Sequence, residues 1–161
     1  METRAASGWS VLLIGGHSGA GKSMLAMQIA RHFGVAYAEA DDFRMALQQV
    51  TTAAEHPDLH FFITAPGVAK DGIWEASPEE LADRLLRVGQ VVSHALEVVV
   101  AHHQWMAKPL VLEGDGILPR LAIQSIFPTK DGEIGRARFV LLHEPDADYL
   151  LSSMIGRGQG Y

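Results

Sequence analysis

The stretch Gly16-His17-Ser18-Gly19-Ala20-Gly21-Lys22-Ser23 constrains this chain more than any other. It satisfies G-x-x-x-x-G-K-[ST] between the continuous apolar run Val11-Leu12-Leu13-Ile14 and an amphipathic segment, the strand-loop-helix setting that pattern requires. Glycines there free successive backbone N–H groups to curl around a phosphate, because a Cβ would block positive φ and close approach. The start of the helix adds its own unpaired N–H groups and the positive end of its dipole. The candidate nucleotide-binding segment is therefore Gly16, His17, Ser18, Gly19, Ala20, Gly21, Lys22, Ser23 and Met24. Lys22 would reach the β- and γ-phosphates of a bound nucleotide, and the Ser23 hydroxyl would meet Mg²⁺. His17 occupies a free position of the pattern, and a plain Gly-rich turn is the competing reading.

At 161 residues the chain fits one domain with a real hydrophobic core. It is 48% hydrophobic and 20% charged, without a run of eighteen apolar residues, which argues for a globular rather than a membrane-spanning chain. It has no cysteine, and METRAASGWS lacks the basic flank and apolar run of a secretory signal, so a cytoplasmic location is expected. A formal charge of −6 with no block of Lys and Arg argues against nucleic acid and leaves small molecules as partners.

Short apolar runs alternate with longer amphipathic ones, the pattern of an α/β fold. Strands are expected at 11–14, 35–38, 109–112 and 139–142. Helices are expected at 22–33, at 42–52 with Phe43, Ala46, Leu47 and Val50 on one face, and from Asp146 to Gly156. A long helix should run from Pro78 to Ala107, started by Ser77-Pro78-Glu79-Glu80, with Glu80 closing a capping box. Its buried stripe would be Leu81, Leu85, Val88, Val92, Leu96, Val99 and His103. Residues 53–76, broken by His-Pro, Ala-Pro-Gly and Asp-Gly, read as a mostly irregular insertion on the substrate side. A further helix and a turn at Lys130-Asp131-Gly132-Glu133 precede the last strand.

Two acidic clusters follow strands, Asp41-Asp42 and Glu113-Gly114-Asp115. The carboxyl ends of parallel strands line the ligand crevice of an open α/β sheet, so both clusters should face the glycine loop. Helix capping is the competing role for Asp41 and Asp42, and a solvated loop carboxylate for Glu113. Histidines 56, 60, 102 and 103 read as structural or solvated rather than metal-binding. Trp74, Trp105 and the methionines read as core and rim packing.

Three segments, GGHSGAGKS, EADDFRMALQ and LVLEGDGILP, together resemble small P-loop kinases of the nucleoside-kinase type, most closely the 2-phosphoglycerate kinase-like group. The second is similar to a T-D-x-I-R pattern, with Asp41, Phe43 and Arg44 matching and Ala40 in place of Thr. The resemblance implies a three-layer fold with a mostly parallel sheet ordered 2-3-1-4, ATP and Mg²⁺ as cofactors, and phosphoryl transfer to a hydroxyl of a small anionic metabolite such as 2-phosphoglycerate. Asp41, with Lys22 and Arg157, would serve catalysis, Asp41 orienting or deprotonating the acceptor. Asp42 would be its less favoured substitute. Arg44, Asp115 and Arg120 would lie on the substrate side, and Glu113 would sit near Mg²⁺, through water.

SSMIGRGQGY is similar to the helix leading into the lid of such kinases. The chain ends at Tyr161, before the full lid, fifth strand and adenine-contacting loop those kinases carry, so truncation and an exposed fourth strand are expected. A nucleotide-binding regulatory module and an ATPase domain driving a partner are the competing functional readings.

Overall fold

A computed structural model describes residues 9–61, 77–124 and 137–158. In chain order the elements are β1 (Val11–Gly16), α1 (Lys22–Phe33), β2 (Ala36–Glu39), α2 (Ala40–Val50), α3 (Pro57–His60), α4 (Pro78–Trp105), β3 (Leu110–Glu113), α5 (Pro119–Gln124), β4 (Ala137–Leu142) and α6 (Ala147–Gly158). The strands form one parallel sheet in the order β2-β3-β1-β4. This is the order expected from the sequence, with β4 at one edge of the described sheet.

The period of two along the central strands sorts their side chains into two cores. Val11, Leu13, Leu110 and Leu112 point to one face and pack with Val88, Val92, Leu96 and Val100 of α4 and with Leu59 of α3. Leu12, Ile14 and Val111 point to the other, where Ala26 and Ala30 let α1 approach closely. Such strands, covered on both faces, need continuous apolar runs, which is why β1 and β3 carry little polar punctuation.

The start of α4 forms as the sequence suggests, with one difference. The Ser77 hydroxyl accepts from the Glu80 N–H at 3.2 Å and Pro78 holds the first helical position. The Glu80 carboxylate, however, turns forward to Arg84 at 2.7 and 3.1 Å, so only half of the capping box is made. Further along, Val88, Val92 and Leu96 are buried as expected. Val100 and Gln104 then complete the buried stripe, while Leu85 is 56% exposed and His103 only half-buried. The helix ends at Trp105, two residues before the expected Ala107.

The expectation for α2 needs correction. α2 begins at Ala40, directly after β2, two residues ahead of the expected start. Its inner face is Ala40, Phe43 and Leu47 with buried Gln48, whereas Ala46 and Val50 face outward. Within the segment after α2, expected to be mostly irregular, one short element forms. α3 is a short helix whose Leu59 is buried, whose Leu59 carbonyl accepts from Gln48 Nε2 at 2.7 Å, and whose His60 bonds the Thr51 hydroxyl at 2.9 Å. Residues 62–76 of that insertion, Trp74 included, and the turn at 130–133 lie outside the described residues.

Candidate active site

The loop between β1 and α1 is shaped by glycines in the left-handed region. Gly19 and Gly21 have φ of 86° and 84°, values that L side chains rarely adopt. Gly21 lies immediately before the first residue of α1, so the free N–H groups of that helix open toward the loop. Within the loop the Ala20 N–H donates to the His17 carbonyl, and the Lys22 ammonium folds back onto the same carbonyl at 2.9 Å. Lys22 is 6% exposed, and its Nζ also pairs with Asp115 Oδ1 at 2.5 Å. Asp115 is about half exposed, so this buried cation has a partner that water or a phosphate can replace.

His17, given no side-chain role by the motif, proves to be a tie. Its Nδ1 donates to the Ser18 carbonyl at 3.0 Å, and its Nε2 accepts the Glu144 N–H at 3.0 Å, linking the loop to the segment after β4. On the far side of the loop, Leu150 and Met154 of α6 lie against Gly19.

Two adjoining cavities flank this loop. The smaller, about 100 Å³, is polar and lined by Lys22, Ser23, Glu39 and Glu113. The larger, about 570 Å³, lies between the loop, α2, α4 and the segment after β3. Ser18, Asp41 and Asp115 line both, so these three side chains mark the boundary between the cavities. Asp41, in the first turn of α2, pairs with Arg44 at 3.2 Å, and Arg44 stands on the wall of the larger cavity. The floor is fixed by Ser93 of α4, whose hydroxyl donates to the Gly116 carbonyl at 2.8 Å.

The other sequence candidates are spread more widely. Asp42 is exposed and lines neither cavity, and Met24 is 63% exposed. Arg120 borders a separate groove with Gln90, His94 and Glu97. Arg157 lies in α6, its side chain outside the described residues. Among the described residues no three metal-ligating side chains form a cluster. Ser23 and Glu113 nevertheless fit Mg²⁺, because that ion keeps several water and phosphate oxygens rather than demanding a full protein cage.

Sequence reasoning missed the pair that backs Glu113. Parallel register sets Glu39 of β2 beside Glu113 of β3, and Tyr37, two residues before Glu39, shares its face. The Tyr37 hydroxyl reaches Glu39 Oε1 at 2.8 Å and Glu113 Oε1 at 3.1 Å, one phenolic proton serving two carboxylates. Burial, then the hydrogen bond to Glu39 and the charge of Glu113, push the Tyr37 phenol far above its usual range. The unfolded chain releases this proton near pH ~10 and the folded chain does not, so stability falls as pH rises beyond that point. Subtracting the alkaline absorbance titration of Tyr37→Phe from that of the unaltered protein isolates this phenol. The difference should develop only well above pH ~10, and a wave centred there would contradict the arrangement.

No family model matches the chain, and no curated protein matches it in sequence. Solved structures do match in fold. A gluconokinase from Sinorhizobium meliloti is similar over 94% of this chain and 66% of its own, at 16% identity and a TM-score of 0.50. A candidate kinase from Chloroflexus aurantiacus is similar over 94% of this chain and 69% of its own, at 16% identity and a TM-score of 0.52. The chain thus spans about two thirds of each and shares with them an α/β fold in which helices flank a parallel sheet ordered 2-3-1-4. No described helix is long and apolar enough to cross a membrane.

Proposed function

We propose that this chain binds ATP with Mg²⁺ at the Gly16–Ser23 loop and transfers the terminal phosphoryl group to a hydroxyl of a small molecule in the adjoining cavity. The observation that carries the reading is Asp41 standing where a polar cavity beside the glycine loop meets a larger one with room for an acceptor. Phosphoryl transfer asks little covalent chemistry of a protein; it asks for positioning, charge and a proton acceptor.

In this mechanism the loop N–H groups and the N-terminus of α1 hold the phosphate tail, and Lys22 exchanges Asp115 for phosphate oxygens. Ser23 and Glu113 would hold Mg²⁺, which when bound offsets charge on the phosphates. Tyr37 and Glu39 orient the Glu113 carboxylate. Asp41 accepts the acceptor's hydroxyl proton as its oxygen bonds to phosphorus, and the bond from that phosphorus to ADP's oxygen breaks. Arg44 holds a polar or anionic group of the acceptor. The reading places the reaction in the cytoplasm, and the motif resemblance puts 2-phosphoglycerate on the first panel of acceptors; the kinase-like fold of the similar structures supports phosphoryl transfer as a class.

The test is incubation with terminally labelled ATP and a panel of alcohols and hydroxy acids. Label in an organic phosphate, dependent on Mg²⁺, is the expected result. Nucleotide binding without transfer to any acceptor would instead establish a regulatory module, and label only in inorganic phosphate an ATPase.

A further inference from the structure

The larger cavity is built for a different acceptor from a small polyanion. Leu85 and Leu86 of α4 and Leu141 of β4 are 56%, 52% and 54% exposed, a poor position for leucine on a free surface. All three line this one cavity, in front of Val92, Ile117 and Leu118. Arg44 is the only Lys or Arg among its described lining residues, and Asp41 already holds one of its terminal nitrogens. Its Nε is buried without a hydrogen-bond partner among the described residues. Asp41 and Asp115 line the side shared with the polar cavity, and each already has a cation, Asp41 in Arg44 and Asp115 in Lys22.

A phosphorylated hydroxy acid brings two ionised groups and almost no apolar surface. Here it would set charge against leucine, with one arginine among the described lining residues to answer it, and would leave most of the volume unfilled. At about 570 Å³ the cavity is of the size that takes ligands of ~300–1,000 Å³ sites, mostly apolar bodies oriented by a few polar groups.

We propose that the acceptor is an alcohol with an aromatic or branched aliphatic body and no more than one ionised group. The body lies on Leu85, Leu86 and Leu141, the hydroxyl points to Asp41, and the polar group meets Arg44. This rests on the reading of the chain as a phosphotransferase and narrows its substrate class.

Two readouts separate the class of ligand from the reaction. Anilinonaphthalene sulfonate, an aromatic body with one anionic group, serves as a fluorescent probe of the cavity. Leu86→Glu places a charge on the cavity wall at a half-exposed site; Val98→Glu places one on the same helix at a position 71% exposed and outside the cavity. Probe affinity should fall roughly ten-fold or more in Leu86→Glu and hold in Val98→Glu, with ATP-induced thermal stabilisation retained in both as the check on folding. In transfer assays apolar-bodied alcohols should exceed gluconate and 2-phosphoglycerate in kcat/KM by a similar factor, and Leu86→Glu should lower that advantage.

Equal probe binding in all three proteins, or a preference for the polyanions that Leu86→Glu leaves intact, overturns the proposal. Probe binding that follows Leu86, with ATP bound but no alcohol phosphorylated, upholds the ligand class and overturns the transferase reading on which its role as acceptor rests.

Discussion

Lys22→Met is expected to lower kcat/KM for phosphoryl transfer by at least about 10²–10³-fold, the scale on which losing one preorganised charge-stabilising group acts. Lys22, 6% exposed, stands at the first position of α1 with its ammonium held by the His17 carbonyl and Asp115. Neither partner is a competitor it cannot leave, because Asp115 is half exposed and can pass to water when phosphate oxygens arrive. Methionine keeps the buried stem and removes the charge. The fold should therefore lose no more than about 1–3 kcal/mol, the worth of one charged hydrogen bond. Transfer kinetics check the first part, and thermal unfolding with and without ATP the second. A variant that keeps its ATP-induced stabilisation and its turnover would remove Lys22 from the donor site.

Asp41→Asn should separate binding from chemistry. The amide matches the carboxylate in shape and cannot take up the acceptor's proton, so kcat should drop by roughly 10²–10⁴-fold, the contribution usual for a positioned general base. The stability cost is small, since the ion pair with Arg44 is partly solvent-exposed and such pairs contribute about 0–1 kcal/mol. Stabilisation by ATP should be unchanged, because Asp41 stands at the junction of the two cavities rather than within the loop. Transfer within a few-fold of the unaltered enzyme would assign the proton to another group.

The strand, the glycine loop and α1 were legible in the sequence because three independent signals coincide there. A run buried on both faces, glycines at fixed offsets and a helical period leave one local structure. The sheet order was expected from the resemblance to P-loop kinases; the apolar runs of β1 and β3 mark interior strands but do not by themselves order the four. α4 shows where periodicity stops informing. A core face and the wall of an apolar cavity both demand leucine at helical spacing, so Leu85 carries the pattern of a core residue while lining open space. Conversely, Gly89, Ser93 and Gln104 are buried on that helix with no apolar signal to mark them.

The start of α2 was misplaced because Ala40 is small enough to sit fully buried against Gly114, which lets the helix begin without a connecting loop. The cluster of Tyr37, Glu39 and Glu113 depends on the register between strands 74 residues apart, Glu39 opposite Glu113. Period two places Tyr37 and Glu39 on one face, and that was the available hint; the partner strand supplies the rest.

The donor site rests on the amides of the glycine loop holding the phosphate tail of ATP. A crystal grown with a non-hydrolysable ATP analogue and Mg²⁺ tests it most directly. The triphosphate is expected on the N–H groups of Gly19 to Ser23, with the Lys22 ammonium moved from Asp115 onto phosphate oxygens. A loop left empty at saturating analogue, or a nucleotide bound elsewhere with Lys22 still on Asp115, would contradict it.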